Sequence, residues 1–285
     1  MNDDVDSGNL AKVRRYYDRT ESRLGYNYIL GGTKHFGWYD GRLSMWSFRR
    51  ALERMEDELA RRLGLPSGAK VLDAGCGTGA VARALASRAG LHVTGMDILD
   101  WNLRMARERA AAAGLQDRTE FHLGDYHKLP FPDESFDGVY TMETLVHAAD
   151  PTAVLKEFHR VLRPGGRLVH FEYAHPPQNA MRASSWIALQ DVCRLAAMPA
   201  WLEFEDGVLD ELVKAAGFTG VTTEDVTRRM MPMVRAFYIM GVFPYFVGRA
   251  IGKVEKTVNA MSGVEMFQHQ DAWSYNITVA TKPEA

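Results

Sequence analysis

Val71-Leu-Asp-Ala-Gly-Cys-Gly-Thr-Gly79 is a short apolar run closed by an acid, followed by glycines alternating with small residues, and a helical stretch from Ala80 to Ala89 comes next. The order predicts a strand that enters a tight turn and then a helix. Glycine accepts positive φ in such a turn and, lacking Cβ, lets a ligand lie against the backbone. The first turn of the following helix exposes unpaired N–H groups, which favours an anionic group nearby. Gly75, Gly77 and Ala80 also satisfy the dinucleotide pattern G-x-G-x-x-G/A. Asp73, just ahead of the first glycine, points elsewhere: a nicotinamide dinucleotide turn has no special use for a carboxylate there, whereas a ligand bearing an amino group does.

Further along, Leu91-His-Val-Thr-Gly-Met96 is a second apolar strand closed by Asp97, where an acid accepts ribose hydroxyls. Gly124-Asp125 follows a third strand, Thr119 to Leu123. Phe136-Asp-Gly-Val-Tyr-Thr-Met-Glu143 reads as a fourth, and Val161-Leu-Arg-Pro-Gly-Gly166 opens a fifth, Arg167 to Tyr173. Strands alternating with helical patterns predict βαβ units and a parallel sheet with right-handed crossovers. Leu103, Ala106, Ala110 and Ala113 make the sheet-facing side of the helix after Asp97. Gly217-Phe-Thr-Gly-Val-Thr-Thr223 gives a sixth strand, and Trp273 to Thr281 alternates like a last one.

The chain has 285 residues, 46% of them apolar, enough for one large domain or a domain with a cap. A formal net charge of -2 argues against nonspecific affinity for nucleic acid, so a small-molecule acceptor and no nucleic-acid partner are expected. The 2 cysteines, Cys76 and Cys193, are too few for a disulfide framework. The acidic start, Met1-Asn-Asp-Asp-Val-Asp6, has no apolar core, so no signal peptide is expected from it. A cytoplasmic location is the expectation. Met230 to Gly248 is apolar, but Pro232, Arg235, Gly241 and Pro244 interrupt it and leave no clean run of about 20 apolar residues. A lid or a subunit interface, with no membrane span and a homo-oligomeric state, is expected. Met230, Met231, Met233 and Met240 suit either an adaptable pocket or a core.

In order and spacing, the segments from Val71 through Tyr173 resemble the successive motifs of the class I S-adenosylmethionine-dependent methyltransferases. The resemblance implies an α/β, Rossmann-like fold: a helical N-terminal cap over 1–65, a cofactor-binding core over 66–227, a helical lid inserted at 228–270, and the final strand, antiparallel, within 271–285. It implies S-adenosyl-L-methionine as cofactor and S-adenosyl-L-homocysteine as product. Asp73 and Gly75 would then hold the methionine amino group, Asp97 the ribose, and Asp125 the adenine amino group. Ile98 would cover an adenine face, with Tyr126 packed nearby, and His147 would lie near the sulfonium. Cys76, Gly77, Asn102, Gly124 and Glu143 complete the implied cofactor contacts. No metal site is read from the sequence.

The N-terminal region is rich in aromatics, among them Tyr16, Tyr17, Tyr26, Tyr28 and Trp46. Gly32-Thr-Lys-His-Phe-Gly-Trp-Tyr39 resembles the His-Phe-Gly-Tyr-Trp segment of methyltransferases acting on sugars, tocopherols and sterols, with the last two aromatics reversed. That likeness implies contacts from Tyr17 and His35 to the methionine end of the cofactor. Sterol C-methyltransferases are the more specific comparison, because they pair an aromatic N-terminal segment with an acid in the fifth strand. The matching stretch, Leu168-Val-His-Phe-Glu-Tyr173, offers Glu172. Methylating an alkene creates a carbocation, which aromatic faces stabilise and a base discharges, so Glu172, His147 and Tyr17 are the catalytic candidates. The run Gly25-Tyr-Asn-Tyr-Ile-Leu-Gly-Gly32 and the insert from Arg228 to Gln270 depart from the sterol pattern. A shorter terpenoid or prenylated acceptor is therefore expected, with cyclisation of the cation as an extension. O-methylation of a hydroxyl is the alternative, with His147 as base and His170 or His175 behind it. A non-catalytic cofactor-binding module and a nicotinamide oxidoreductase are the remaining readings.

Overall fold

The computed structural model describes residues 2–17, 31–41, 44–252 and 257–284. Tyr26 and Tyr28, and the run 25–30, lie outside them. A helix α1, Asn2–Tyr17, is followed by α2, Phe48–Leu63. The repeating unit then begins: β1 Lys70–Ala74, α3 Ala80–Ala84, β2 His92–Asp97, α4 Asp100–Ala112, β3 Thr119–Leu123. It continues through β4 Phe136–Met142, α5 Pro151–Val161 and β5 Leu162–Ala174. Two helices follow, α6 Ala183–Ala196 and α7 Val208–Ala215, then β6 Thr219–Asp225. Last come α8 Thr227–Ala250, α9 Val258–Gln268 and β7 Ser274–Thr281.

The strands form one sheet in the order β3-β2-β1-β4-β5-β7-β6. β3 through β5 run parallel and β7 is antiparallel to both β5 and β6. This is the class I methyltransferase arrangement with its reversed last strand. From β1 the chain winds outward to β2 and β3, then returns to place β4 on the other side. That reversal opens a crevice at the carboxyl ends of β1 and β4, where open parallel sheets take ligands.

Local chemistry sets the element ends. Asp150 accepts from the Ala153 amide and Pro151 occupies the first turn of α5, a cap with a pre-set φ. Several elements differ from the sequence reading. The helix expected over Ala80 to Ala89 is a short α-helix that widens into a π-type turn, Leu85–Ala89, closed by Gly90 in the left-handed region. Ala113 caps α4 and is exposed, so it leaves the buried face of Leu103, Ala106 and Ala110. β6 starts at Thr219 and its register shifts before Thr222, with Gly217 and Gly220 at positive φ. The expected interruptions do not break α8, which runs through Pro232 and Pro244 while packed along α9.

Leu59 and Leu63 of α2 join the sheet residues Val71, Leu72, Val139 and Val169 in one buried core. The segment between β5 and β6, unread in the sequence, supplies Val192 of α6 and Trp201 to the same core. α6 packs on α9, so helices from both sides of β6 meet above the carboxyl end of the sheet.

Candidate active site

The turn after β1 is tied to β2: the N–H groups of Gly75 and Cys76 both donate to the Met96 carbonyl at 2.8 Å. Gly75 has φ +93°, and a Cβ there would fall 2.2 Å from Thr144 Oγ1 on the loop after β4. Glycine alone lets the two loops close together. The acid at the end of β2 reinforces the turn, because Asp97 Oδ2 accepts from the Gly77 N–H at 2.8 Å. Its Oδ1 accepts from the Leu99 amide at 2.8 Å and from Asn102 Nδ2 at 3.1 Å.

Asp125, after β3, is fixed by its neighbour. Oδ1 accepts from the His127 amide at 3.0 Å and lies 2.6 Å from His127 Nδ1. His127 Nε2 faces the amide N–H groups of Ala149 and Asp150 at 3.2 and 3.3 Å, so the ring's proton sits on Nδ1. Burial works to raise the Asp125 carboxyl, but the His127 bonds outweigh it and hold the group below the usual carboxylate range. His127 thus locks the β3 loop to the β4 loop. The Tyr126 hydroxyl adds a bond to the Thr144 carbonyl at 3.0 Å.

These loops enclose a cavity of about 80 Å³ whose wall includes Gly75, Gly77, Asp97, Ile98, Asn102, Gly124, Asp125, Tyr126, Glu143 and His147. Tyr17, with Leu10 and Val13, covers it from α1. Asp73, Cys76 and His35 line a smaller adjoining recess that shares Gly75, Gly77 and Lys34 with it. The structure therefore gathers the expected cofactor residues around two connected spaces. Asp73 Oδ2 is buried there without a hydrogen-bond partner among the described residues, and burial raises its carboxyl to about 7.

A larger cavity of about 260 Å³ adjoins both. Its wall is aromatic and sulfur-rich: Tyr16, Tyr17, Phe36, Tyr173, Trp201 and Phe237, with Met198, Met240 and Met266. Phe36 meets Tyr173, Tyr275 and Phe237 edge-on or tilted, and Tyr173 stacks on Trp201 at 4.5 Å. Tyr17, Lys34 and Glu143 belong to both this cavity and the first. Glu143 sits at φ 57°, an uncommon backbone state for a non-glycine residue. Its carboxylate accepts from the Phe36 N–H at 2.7 Å and from the hydroxyls of Tyr275 at 2.9 Å and Tyr173 at 2.5 Å. Burial raises its pKa against those bonds. Enclosure pulls the Lys34 ammonium down to about 8, with Asp97 opposing; its Nζ lies 3.2 Å from Asn102 Oδ1 and 4.3 Å from the Tyr17 ring centroid.

The catalytic candidates separate. Tyr17 and His147 line the first cavity and bond to each other, the hydroxyl 3.0 Å from Nε2. Glu172 lines none of the three spaces. It is buried beneath them, and its Oε1 accepts from Thr141 Oγ1, the Thr144 amide and the Leu145 amide at 2.9, 3.1 and 2.8 Å. The side chain alternates away from the cavity while its neighbour Tyr173 faces in, as successive strand residues must. Glu172 thus shapes the loop that carries Glu143. His170 is buried against Thr141, and His175 bonds to the carbonyls of Pro176 and Leu202. Neither lines the three spaces. His35 lies beside Glu56 at 3.7 Å, and that acid outweighs burial to raise its pKa.

Residues 72–170 match the family described as methyltransferase domain. Over 279 residues the chain is 34% identical to a protein of Talaromyces variabilis named S-adenosyl-L-methionine-dependent Diels-Alderase iccD, covering 95% of this chain and 94% of that one. The chain belongs to the S-adenosylmethionine-dependent methyltransferase family. This methyltransferase also superposes on the [4+2]-cyclase SpnF with TM-score 0.76 and 27% identity, over 95% of each chain. Sterol 24-C-methyltransferase ERG6B of Gibberella zeae is 45% identical over 127 residues, which span 45% of this chain and 33% of that protein.

S-adenosylmethionine is the cofactor of this methyltransferase, and the residues present fit it. An unpartnered buried carboxylate oxygen on Asp73 suits an ammonium group, and Gly77, at φ +52°, puts bare backbone on the wall of both the cavity and the recess. Lys34, Phe36, Met198, Trp201 and Phe237 went unremarked as site residues in the sequence. Lys34 and Phe36 flank His35, so the resemblance of that segment was the one available signal for them.

Proposed function

We propose that this enzyme forms a carbon–carbon bond on an apolar, unsaturated natural product of terpenoid or prenyl type, by methyl transfer to an alkene carbon. The observation that carries the reading is Glu143, a carboxylate at the junction of the cofactor cavity and an aromatic-walled cavity of about 260 Å³. Asp73 and Gly75 would hold the methionine amino group, Asp97 the ribose and Asp125 the adenine amino group. S-adenosylmethionine, when bound, would supply an electrophilic methyl group, its S–CH3 bond breaking to leave S-adenosylhomocysteine.

The chain's own residues do the rest. The apolar wall excludes water and aligns acceptor and donor, which is much of the catalysis in an in-line displacement. The new C–C bond uses the alkene's π electrons and leaves a positive charge on the neighbouring carbon. The faces of Phe36, Tyr173 and Trp201 stabilise that charge. Glu143 then takes a proton from the adjacent carbon, restoring an alkene, and its raised pKa suits it to receive that proton.

A second reading has its own support. The relatives matched along nearly their whole length carry the names Diels-Alderase and [4+2]-cyclase, which favours cyclisation of a polyene in the same cavity. Incubation with methyl-labelled S-adenosylmethionine and terpenoid or polyene alkenes separates the two by mass spectrometry. Label fixed on carbon supports methyl transfer. An unlabelled isomer of the acceptor, formed only with cofactor present, supports cyclisation in its place. Label on oxygen alone overturns both.

A further inference from the structure

α8 carries an exposed apolar stripe that the acceptor cavity does not consume. Ile239, Phe243, Phe246 and Val247 are 46, 76, 56 and 44% exposed and recur at helical spacing along one side, with Ile251, just past the helix end, 60% exposed. Among the described residues, α8 is the one helix long and apolar enough to cross a membrane by length and composition, yet only 33% of its most apolar window is buried. Such a patch marks a surface that is covered in use. The charges on the helix are of one sign. Arg228, Arg229, Arg235 and Arg249 lie on it, no Asp or Glu does, and among the described residues none of these arginines forms an ion pair.

Two occupants compete for the stripe, and the charges discriminate. In an isologous two-fold contact centred near Phe243, α8 would meet its copy antiparallel, so the Arg235 end would face the Arg249 end of the partner with no acid on either helix to neutralise it. An anionic lipid surface neutralises both ends while taking Phe243 and Phe246 below the headgroups, the pattern of an interfacial amphipathic helix. We infer that α8 seats this enzyme on anionic lipid. The seat also has a use. Met240 is exposed on this helix and lines the acceptor cavity together with Phe237 and Pro244, so the cavity wall reaches the surface that lipid would cover. An apolar acceptor then passes from lipid to the site without crossing water; this last step rests on the proposed function, whereas the docking itself does not.

The test is flotation of the full chain with vesicles of phosphatidylcholine alone or mixed with phosphatidylglycerol. Wild-type protein is expected to float with the anionic vesicles, less so at raised salt, and to remain behind with phosphatidylcholine alone. The double variant Phe243→Ser/Phe246→Ser, outside both cavities, is expected to lose flotation while S-adenosylmethionine binding shows that it is folded. Wild-type protein that stays behind with anionic vesicles overturns the inference, as does a double variant that still floats. A dimer in light scattering that the double variant dissociates, without flotation of wild type, assigns the stripe to a second copy instead. None of these readouts depends on turnover.

Discussion

The Tyr17 hydroxyl lies 3.0 Å from Nε2 of His147, and Nδ1 of the same ring lies 2.6 Å from the Ala197 carbonyl. A carbonyl only accepts, so Nδ1 carries the proton and Nε2 accepts from Tyr17. Burial pushes His147 down to about 4. Its one free lone pair is therefore occupied, and the ring is neutral at ordinary pH. The pair closes the α1 cap over the cofactor cavity, helped by Asn9, whose Nδ2 donates to the His147 carbonyl at 2.8 Å.

This arrangement predicts that His147 titrates with no inflection between about pH 5 and 8, where an unperturbed histidine would. NMR of the ring protons checks it directly. Replacing Tyr17 with Phe leaves a buried acceptor unpaired and is expected to destabilise the chain by about 1 to 3 kcal/mol in chemical unfolding. A His147 inflection near the usual histidine range would restore it as a general base.

Glu143 should behave differently from Glu172. Glu143→Gln keeps an oxygen for the Phe36 N–H but cannot accept a proton as a carboxylate does. Turnover is expected to fall on the order of 100-fold or more, with S-adenosylmethionine affinity by calorimetry close to wild type. Equal turnover in Glu143→Gln and wild type would remove Glu143 from the proton-transfer role and favour the cyclisation reading.

Asp97→Ala is expected to weaken cofactor binding by about 1.5 to 3 kcal/mol for each charge-assisted bond lost. The variant also frees the Gly77 N–H that Asp97 Oδ2 holds, so the turn loosens together with the proposed ribose contact. Isothermal titration measures the change; unchanged affinity would count against Asp97 as the ribose acid.

The proposed cofactor half of the site was legible because it is local. A strand, its closing acid and a glycine turn are consecutive in sequence, so Asp73, Gly75, Asp97 and Asp125 could be named before any contact was known. The acceptor half was not, because its wall is assembled from residues far apart: Phe36, Trp201, Phe237 and Met266 come from different elements and meet only when α6, α8 and α9 pack over the sheet. Glu172 shows the remaining hazard. Its position in the fifth strand was correctly read, but both faces of a parallel strand are buried and read alike, so the sequence did not reveal that Tyr173 takes the inward place.

The pH dependence of stability tests where Glu172 sits. Its carboxyl is raised to about 7 by burial, against the bonds from Leu145, Thr144 and Thr141. Between the unfolded carboxylate range and about 7, the folded state holds this proton and the unfolded state does not. Glu172 therefore adds stability as pH falls through 7, and that stability is lost as pH rises through it. His147 and His170, pushed down to about 4 and 3 by burial, act in the opposite sense: the unfolded chain takes up their protons first, so they withdraw stability as pH falls below about 6.5. In wild type the histidines are opposed by Glu172 together with Asp73, which burial likewise raises to about 7. Glu172→Gln keeps the oxygen that accepts from the Leu145 amide but removes the titration, leaving the histidines less opposed. Relative to wild type, its stability is expected to drop by about 1.4 kcal/mol for each pH unit between about 6.5 and 5. Denaturant unfolding at a series of pH values measures that slope. A difference between variant and wild type that stays constant across the series would mean that Glu172 is ionised in the folded protein and faces solvent or ligand after all.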